Sequence, residues 1–269
     1  MQPFSHVNPI DDFKNLNALT NGYGDLHGTY TAIEKAYNSY VATSGSPHLK
    51  AIALSTKQKN CLHKAYTNAA KKFGLDWIPL LRSELLGSCP MCGNSALGTV
   101  EHYLPKTPFP EFSVFSLNLV PSCSSCNQKR GSKHASGVAH QLLHPIFDAD
   151  MLRKLRLITQ FDTSELVLKF ELGFNSKIFT VNEGARIWAH INMCIDHSAF
   201  KRATMVQISK TASRVKKKDV AEWESVIMED LETMCDANLE YGWEASCLRG
   251  LLEVSMSQLS SVLVPKMLR

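Results

Sequence analysis

Apolar residues recur at helical spacing through residues 1–86 of the chain. Over residues 25–40 this spacing predicts an amphipathic helix. Residues 55–58 read Ser-Thr-Lys-Gln and resemble a capping box, which predicts that another helix begins there and runs towards a stop at Gly74. A further apolar helical face follows over residues 77–86. The pattern therefore predicts an N-terminal helical region.

The pattern changes over residues 87–147, where proline, glycine and serine are frequent and the apolar runs become short. Two of these runs, residues 99–104 and 115–120, are typical of short strands. The residues from Ser124 onward favour a short helix. We therefore expect a loop-rich unit that contains two strands and one helix.

Residues 148–269 begin with strand-like segments and continue as helix. The apolar run 155–161 and the alternation of apolar and other residues over 166–172 predict a β-hairpin or an edge pair of strands. From Glu183 onward the pattern is helical to the end of the chain. With the two preceding regions, this predicts an α+β fold in three parts.

Composition places the chain among globular proteins. Of its 269 residues, 44% are hydrophobic and 20% are charged, which excludes a disordered, coiled-coil or collagen-like chain. No uncharged apolar stretch approaches the roughly 20 residues that span a bilayer, so we expect no membrane association. The N-terminal segment lacks the basic-then-apolar layout of a signal peptide, and we expect a cytoplasmic protein.

Charge is segregated within the helical C-terminal part, although the formal net charge of the chain is only +4. Residues 201–218 contain seven basic residues and no acid, whereas residues 219–244 contain nine acids and no base. Two interpretations stay open. The two segments are solvated helix faces that attract one another, or a basic face that contacts phosphate lies beside an acidic surface that faces a protein partner.

Four of the eight cysteines form two C-x-x-C pairs, Cys89 with Cys92 and Cys123 with Cys126. This spacing lets four thiolates meet around one Zn²⁺. The alternatives are four buried thiols without a metal, or a redox C-x-x-C pair. A disulfide framework is typical of small secreted domains, and this chain resembles none. We expect the other four cysteines to pack as small apolar groups: Cys61, Cys194, Cys235 and Cys247.

An acidic residue and a histidine stand between the two pairs, as Glu101 and His102. Hydrolysis of a phosphodiester needs a base for water and a cation for the charge that develops. The unperturbed pKa of histidine, about 6.5, suits His102 to the first task, and a glutamate offers the hard oxygen ligands that Mg²⁺ prefers. Successive side chains of a strand point to opposite faces, so a twist or bulge must bring both to one site.

Three segments carry a resemblance to a known family: residues 100–106, with the pair Glu-His, residues 116–121, with Asn-Leu-Val, and residues 123–131, with Cys-x-x-Cys-Asn and a later Lys-Arg-Gly. They resemble the zinc-knuckle subtype of the HNH endonucleases. The resemblance covers about 45 residues and implies a small ββα-metal core with a structural zinc ion. The N-terminal helices and the C-terminal hairpin and helices would flank this core.

The resemblance also implies residue roles. His102 matches the general base, and Glu101 and Asn127 match the ligands of a catalytic Mg²⁺ or Mn²⁺. Asn118 matches the asparagine that tethers the metal-site loop and orients the base. Two positions depart from the commonest pattern, since asparagine replaces histidine at Asn127 and glutamate replaces aspartate at Glu101. Three basic residues would contact nucleic acid near the scissile phosphate: Lys106, Lys129 and Arg130.

These observations predict a metal-dependent DNA endonuclease that nicks DNA or cuts both strands. A weaker resemblance, in the size of the helical extensions, implies a role in bacterial anti-phage defence or restriction. In that role a regulatory ATPase, a motor or another defence-system subunit would be a partner, and a homodimer would allow both strands to be cut. The alternative is a zinc-knuckle nucleic-acid-binding module or structural subunit without catalysis.

Overall fold

The computed structural model describes residues 1–81, 87–95, 98–131, 142–164 and 168–267, and it confirms the α+β fold. The α-helices of this part of the chain are α1 (Asp12–Gly22), α2 (Tyr30–Ala42), α3 (Thr56–Asn68), α4 (Trp77–Leu80), α5 (Ser124–Arg130), α6 (Ala149–Lys154), α7 (Val181–Cys194), α8 (His197–Val215), α9 (Trp223–Asp236), α10 (Trp243–Glu253) and α11 (Met256–Met267). The strands are β1 (Thr99–His102), β2 (Leu119–Ser122), β3 (Leu157–Asp162) and β4 (Lys169–Phe174). Among the helices of the described ranges, none is long and apolar enough to cross a membrane.

The strands form two separate antiparallel pairs. In the first sheet Glu101 of β1 lies opposite Val120 of β2, and His102 lies opposite Leu119. In the second sheet β3 pairs with β4 over their whole length, which confirms the predicted hairpin. Residues 166 and 167 of the predicted second strand lie outside the described residues.

The boundaries of the first sheet differ from those predicted. β1 ends at His102 rather than at residue 104, and β2 begins at Leu119 rather than at residue 115. Ser116–Asn118 form a 3₁₀ helix directly before β2, because the side chain of Asn118 bonds to the backbone of Leu104 and holds the chain in a turn. α5 follows β2 at the predicted position.

The capping box predicted at the start of α3 is present. The hydroxyl oxygen of Ser55 accepts from the Gln58 N–H at 3.3 Å, and the Gln58 side chain accepts from the Ser55 N–H at 2.8 Å. The helix does not reach Gly74, because Ala69 adopts the left-handed conformation and ends it. Gly74 ends a short 3₁₀ helix instead, with a φ of +69°.

The other N-terminal helices are also displaced from their predicted positions. A 3₁₀ turn occupies Gly24–Leu26, and α2 begins only at Tyr30. α1 was absent from the predicted elements. Of the apolar face predicted over residues 77–86, the structure shows the short helix α4, and residues 82–86 lie outside the described residues.

One hydrophobic cluster joins the three parts of the chain. It contains Tyr37 of α2, Phe115 from the segment between the strands, and Ile191 of α7, all almost fully buried. A second cluster lies among α8, α9, α10 and α11. The division at residues 86 and 147 stays a prediction, and the largest core extends across both positions.

Candidate active site and metal centre

The four paired cysteines meet in the structure. Their sulfur atoms lie within 4.8 Å of one another, and all four side chains are buried. The Sγ atoms of Cys92 and Cys123 are 3.6 Å apart. Four thiolates that bind one Zn²⁺ at about 2.3 Å stand about 3.8 Å from each other, so this cluster could hold a zinc ion with little movement.

The first cysteine pair is shaped by a tight backbone turn. The N–H groups of Cys92 and Gly93 donate to the carbonyl oxygen of Cys89 at 3.2 and 2.8 Å. Gly93 has a φ of +87°, and a Cβ atom there would lie 2.7 Å from the carbonyl oxygen of Tyr241. Glycine is therefore required for two reasons, the backbone conformation and the close approach of the chain before α10.

Backbone N–H groups point at the thiol sulfurs of the cluster. Those of Cys123, Asn94 and Cys126 donate to the sulfurs of Cys89, Cys92 and Cys123 at 3.4, 3.3 and 3.4 Å. Such bonds stabilise negative charge on sulfur, as a set of metal-bound thiolates requires. The donor set and its surroundings fit a metal ion that is bound wholly by protein.

The remaining cysteines only partly follow the prediction that they pack as small apolar groups. Cys194 and Cys247 are buried, and Cys61 is half-buried. Cys235 is exposed, so the prediction is wrong for this residue. It lies near the end of α9, whose apolar side is already covered by α8 and α10.

A cavity of about 270 Å³ lies beside the cysteine cluster, between β1 and α5. It brings together four of the residues singled out from the sequence: Glu101, His102, Lys106 and Asn127. Both members of the Glu-His pair reach this cavity, although neighbouring strand residues alternate in direction, because β1 ends at His102 and the chain turns away. Other residues that line it are Tyr66, Val100, Pro105, Lys106, Thr107 and Gly131.

His102 is held in one orientation. Its Nε2 lies 3.0 Å from the carbonyl oxygen of Ser113, and since a carbonyl only accepts, Nε2 carries the proton and Nδ1 is left to accept one. Its ring packs edge-on against Tyr66, with 4.4 Å between ring centroids. Burial lowers the pKa of His102 to about 3, so the imidazole is neutral at neutral pH.

Glu101 is buried and is paired with Arg130 of α5, whose Nη1 lies 3.5 Å from a carboxylate oxygen. Burial raises the pKa of Glu101 to about 7, and the charges of Arg130 and Lys106 act in the opposite direction. A carboxylate whose charge is this poorly solvated gains from a nearby cation. The arrangement can therefore attract a metal ion to the carboxylate.

The basic residues predicted to contact nucleic acid differ in their surroundings. Arg130 is only 2% exposed, and its guanidinium donates to Glu101 and to the Tyr103 carbonyl, so it is held inside the protein and its contact with nucleic acid stays a prediction. Lys129 is half-buried and donates to the carbonyl oxygen of Ile195. Lys106 lines the cavity with its ammonium above the ring of Tyr66, at 4.9 Å from the centroid.

Asn118 does not line the cavity but ties the loop between the two strands. Its Oδ1 accepts from the N–H of Leu104 at 2.7 Å, and its Nδ2 donates to the carbonyl oxygens of Leu104 and Phe112 at 3.0 and 3.2 Å. The hydroxyl of Tyr40 also donates to Oδ1, at 3.0 Å. This loop carries the Ser113 carbonyl, so Asn118 holds the group that orients His102.

Two residues that contact His102 were not identified from the sequence. Ser113 acts through its backbone carbonyl, which no side-chain pattern reveals. Tyr66 comes from α3, far from the motif, and its spacing in that helix is the ordinary spacing of a core residue. No sequence pattern around Ser113 or Tyr66 indicates a contact with His102.

The comparisons with known proteins give a partial likeness. The chain is 43% identical over 65 residues to "Protein ea31" of Escherichia phage lambda, a segment that is 23% of this chain and 22% of the phage protein. The chain thus spans about a fifth of the length of this curated relative. No protein-family profile matches the chain, and no solved structure matches it.

Proposed function

We propose that this protein is a metal-dependent endonuclease of the HNH type that hydrolyses DNA phosphodiester bonds at the cavity between β1 and α5. One observation carries the proposal. A carboxylate, a neutral imidazole with a fixed tautomer and a carboxamide, Glu101, His102 and Asn127, line a single cavity. Binding alone would require none of these three groups to meet there.

Two metal ions belong to this proposal. Zinc is the ion proposed for the four cysteines, because a tetrahedral set of four thiolates leaves no open position and serves as a structural site. Mg²⁺ or Mn²⁺ is proposed at the cavity, where Glu101 and Asn127 offer hard oxygen ligands. When bound, such an ion would stabilise charge on the phosphoryl oxygens.

The protein's own contribution is to hold the base in the required form. Nδ1 of His102 takes a proton from the attacking water, while Nε2 keeps its own proton and donates it in a hydrogen bond to the Ser113 carbonyl oxygen. The Tyr66 ring covers the imidazole and limits its contact with bulk water. Lys106 supplies a positive charge for the phosphate of the substrate.

One such site cuts one strand, so nicking is the expected outcome for a single chain, and a homodimer would cut both. We propose a role in anti-phage defence or restriction, in which a regulatory ATPase, motor or other defence-system subunit controls the enzyme. This part of the proposal rests on the weaker resemblance in the size of the helical extensions.

A second candidate function is a nucleic-acid-binding or structural subunit without catalysis. The burial of the site favours it, because Glu101 and His102 are only 5% and 7% exposed. The ion pair with Arg130 also occupies the carboxylate that a metal ion would need. Both candidate functions include the cysteine cluster, and only the endonuclease hydrolyses DNA.

The two candidates are separated by a supercoiled-plasmid assay with Mg²⁺ or Mn²⁺. For an endonuclease, wild-type protein converts the plasmid to open-circular or linear form, and His102→Ala does not. The matched control is His48→Ala, which removes an exposed histidine and should cut like wild type. Wild-type protein that binds the plasmid but stays inert with both metals would favour the second candidate.

A further inference from the structure

α8 and the residues directly after it carry several exposed basic side chains. Along this helix every third or fourth residue is exposed, and the exposed residues include Arg202, Val206 and Ser209. Five basic residues of the segment are exposed and make no ion pair within the described ranges. Three of these residues lie on α8 and two directly follow it, and together they are called the basic face of α8: Lys201, Arg202, Lys210, Lys216 and Lys217.

The acidic segment that follows does not neutralise this face. Arg214 pairs with Glu229, at 3.8 Å, and with Asp230 of α9, and Lys218 pairs with Glu222 at 3.3 Å. The pair with Asp230 directs the side chain of Arg214 towards α9. The attraction between basic and acidic segments therefore involves two of the seven basic residues, and it leaves the outward face positively charged.

This face begins next to the candidate active site. A surface groove of about 500 Å³ lies between α5 and the start of α8. It is lined on one side by Ser125, Gln128 and Lys129 and on the other by Asp196, His197 and Ser198. Asn127, the neighbour of Gln128, lines the catalytic cavity. The groove thus connects the neighbourhood of the cavity to the start of α8, with the basic Lys129 and the acidic Asp196 in its lining.

We propose that the basic face of α8 binds the phosphate backbone of duplex DNA and directs the duplex to the candidate active site. The proposal rests on the endonuclease function proposed above and adds the path of the substrate. α8 has 19 residues and is about 28 Å long, which matches about eight base pairs of duplex.

The side chains between the basic residues also favour phosphate over an acidic protein surface. Ser209 and Ser213 are exposed and small, and they line a shallow groove with Lys210. Their hydroxyls donate to the carbonyl oxygens of Met205 and Ser209 at 3.0 and 2.9 Å, so Lys210 is the group of this groove that offers a donor to phosphate. The exposed apolar residue of this face is Val206, and Met205 is half-buried. A protein partner would need a larger apolar centre than this.

The test measures how DNA affinity depends on salt, with binding kept separate from cutting by a His102→Ala background. A triple variant carries Lys201→Ala, Lys210→Ala and Lys217→Ala. Each lost phosphate contact lowers the slope of log K against log salt by about 0.9, so the triple variant should lose about 2.7. The affinity for a 30-base-pair duplex decreases as salt rises from 50 to 200 mM, and the factor of this decrease should be about 40 times smaller for the triple variant than for its parent.

The matched control removes three exposed lysines elsewhere, with the same change in net charge: Lys35→Ala, Lys50→Ala and Lys71→Ala. The proposal predicts a clearly smaller effect for this control. Equal slopes for the two triple variants would overturn the proposal. It would also be overturned if the triple variant of the basic face lost affinity for single-stranded RNA but not for duplex DNA. The plasmid assay reports separately on catalysis, so a changed slope with inert wild-type protein would reject the endonuclease and keep the DNA-binding face.

Discussion

Arg130 and Glu101 form a buried ion pair, with 3.5 Å between Nη1 and Oε1 and with 2% and 6% of their side chains exposed. The guanidinium also donates to the backbone carbonyl of Tyr103, so one side chain from the end of α5 holds both the acidic residue and the chain just after β1. Its Nε has no partner among the described residues. Arg130 thus fixes the position of Glu101 relative to the helix that carries Asn127.

Replacing Arg130 by methionine should strongly destabilise the fold. The substitution leaves a buried carboxylate without its partner, which typically costs about 3–5 kcal/mol. Urea unfolding, followed by circular dichroism, should report a loss of that size. The control Arg153→Met breaks an exposed pair with Asp150 and should change the unfolding free energy by less than about 0.5 kcal/mol. A loss below about 1 kcal/mol for Arg130→Met would show that the pair is not a structural constraint.

The cysteine cluster predicts one tightly bound zinc ion per chain, which should be measurable by elemental analysis of the purified protein. Cys123→Ser should abolish this content and unfold the chain, because Cys123 also caps α5 and the whole free energy of metal binding is available for folding. Cys235→Ser removes an exposed thiol and should keep both zinc and fold. Full zinc content in Cys123→Ser protein would exclude the four-cysteine site.

The features that were predicted correctly from the sequence are those that depend on local geometry. The C-x-x-C spacing is sufficient to predict the cluster, since each pair closes its own turn, and the capping box at Ser55 is likewise complete within four residues. The buried pair of Arg130 with Glu101 was not predicted, because it depends on how α5 packs against β1. The orienting carbonyl of Ser113 depends on the fold of a long loop, and neither its position nor that of Tyr66 follows from any short pattern.

Asn118→Ala should loosen the loop that orients His102. The substitution leaves the buried N–H and carbonyl of Leu104 without their side-chain partners, and each unsatisfied group costs about 1–3 kcal/mol. If the protein is a nuclease, kcat should fall further than the loss of stability explains, because the Ser113 carbonyl is then less well fixed. Activity is best compared at a temperature where the variant is fully folded. Asn192→Ala, at an exposed position of α7, is the control and should behave like wild type.

His144 should make the stability of the protein depend on pH. The side chain is fully buried, and its Nδ1 accepts from the N–H of Ile146 at 3.2 Å. Nε2 therefore carries the proton and donates to the Tyr40 hydroxyl at 3.1 Å, which in turn donates to Asn118. A second proton on Nδ1 would meet the Ile146 N–H, so these contacts require the neutral ring, and burial lowers its pKa from 6.5 to about 3.

The sign follows from proton uptake. Between pH 6.5 and about 3, His144 is protonated in the unfolded chain but not in the folded chain. The unfolding free energy therefore decreases as the pH is lowered, by up to about 1.4 kcal/mol per pH unit for this group. His144→Asn keeps an acceptor near Nδ1 and removes the titration, so its slope should be smaller by about one proton. Urea unfolding of wild type and His144→Asn between pH 4 and 6.5 measures this difference in slope. Groups whose pKa shifts in the opposite direction, such as Asp12, are present in both proteins and cancel in the difference. His48→Asn should leave the slope unchanged, and an equal slope for His144→Asn would mean that His144 also takes up its proton in the folded protein.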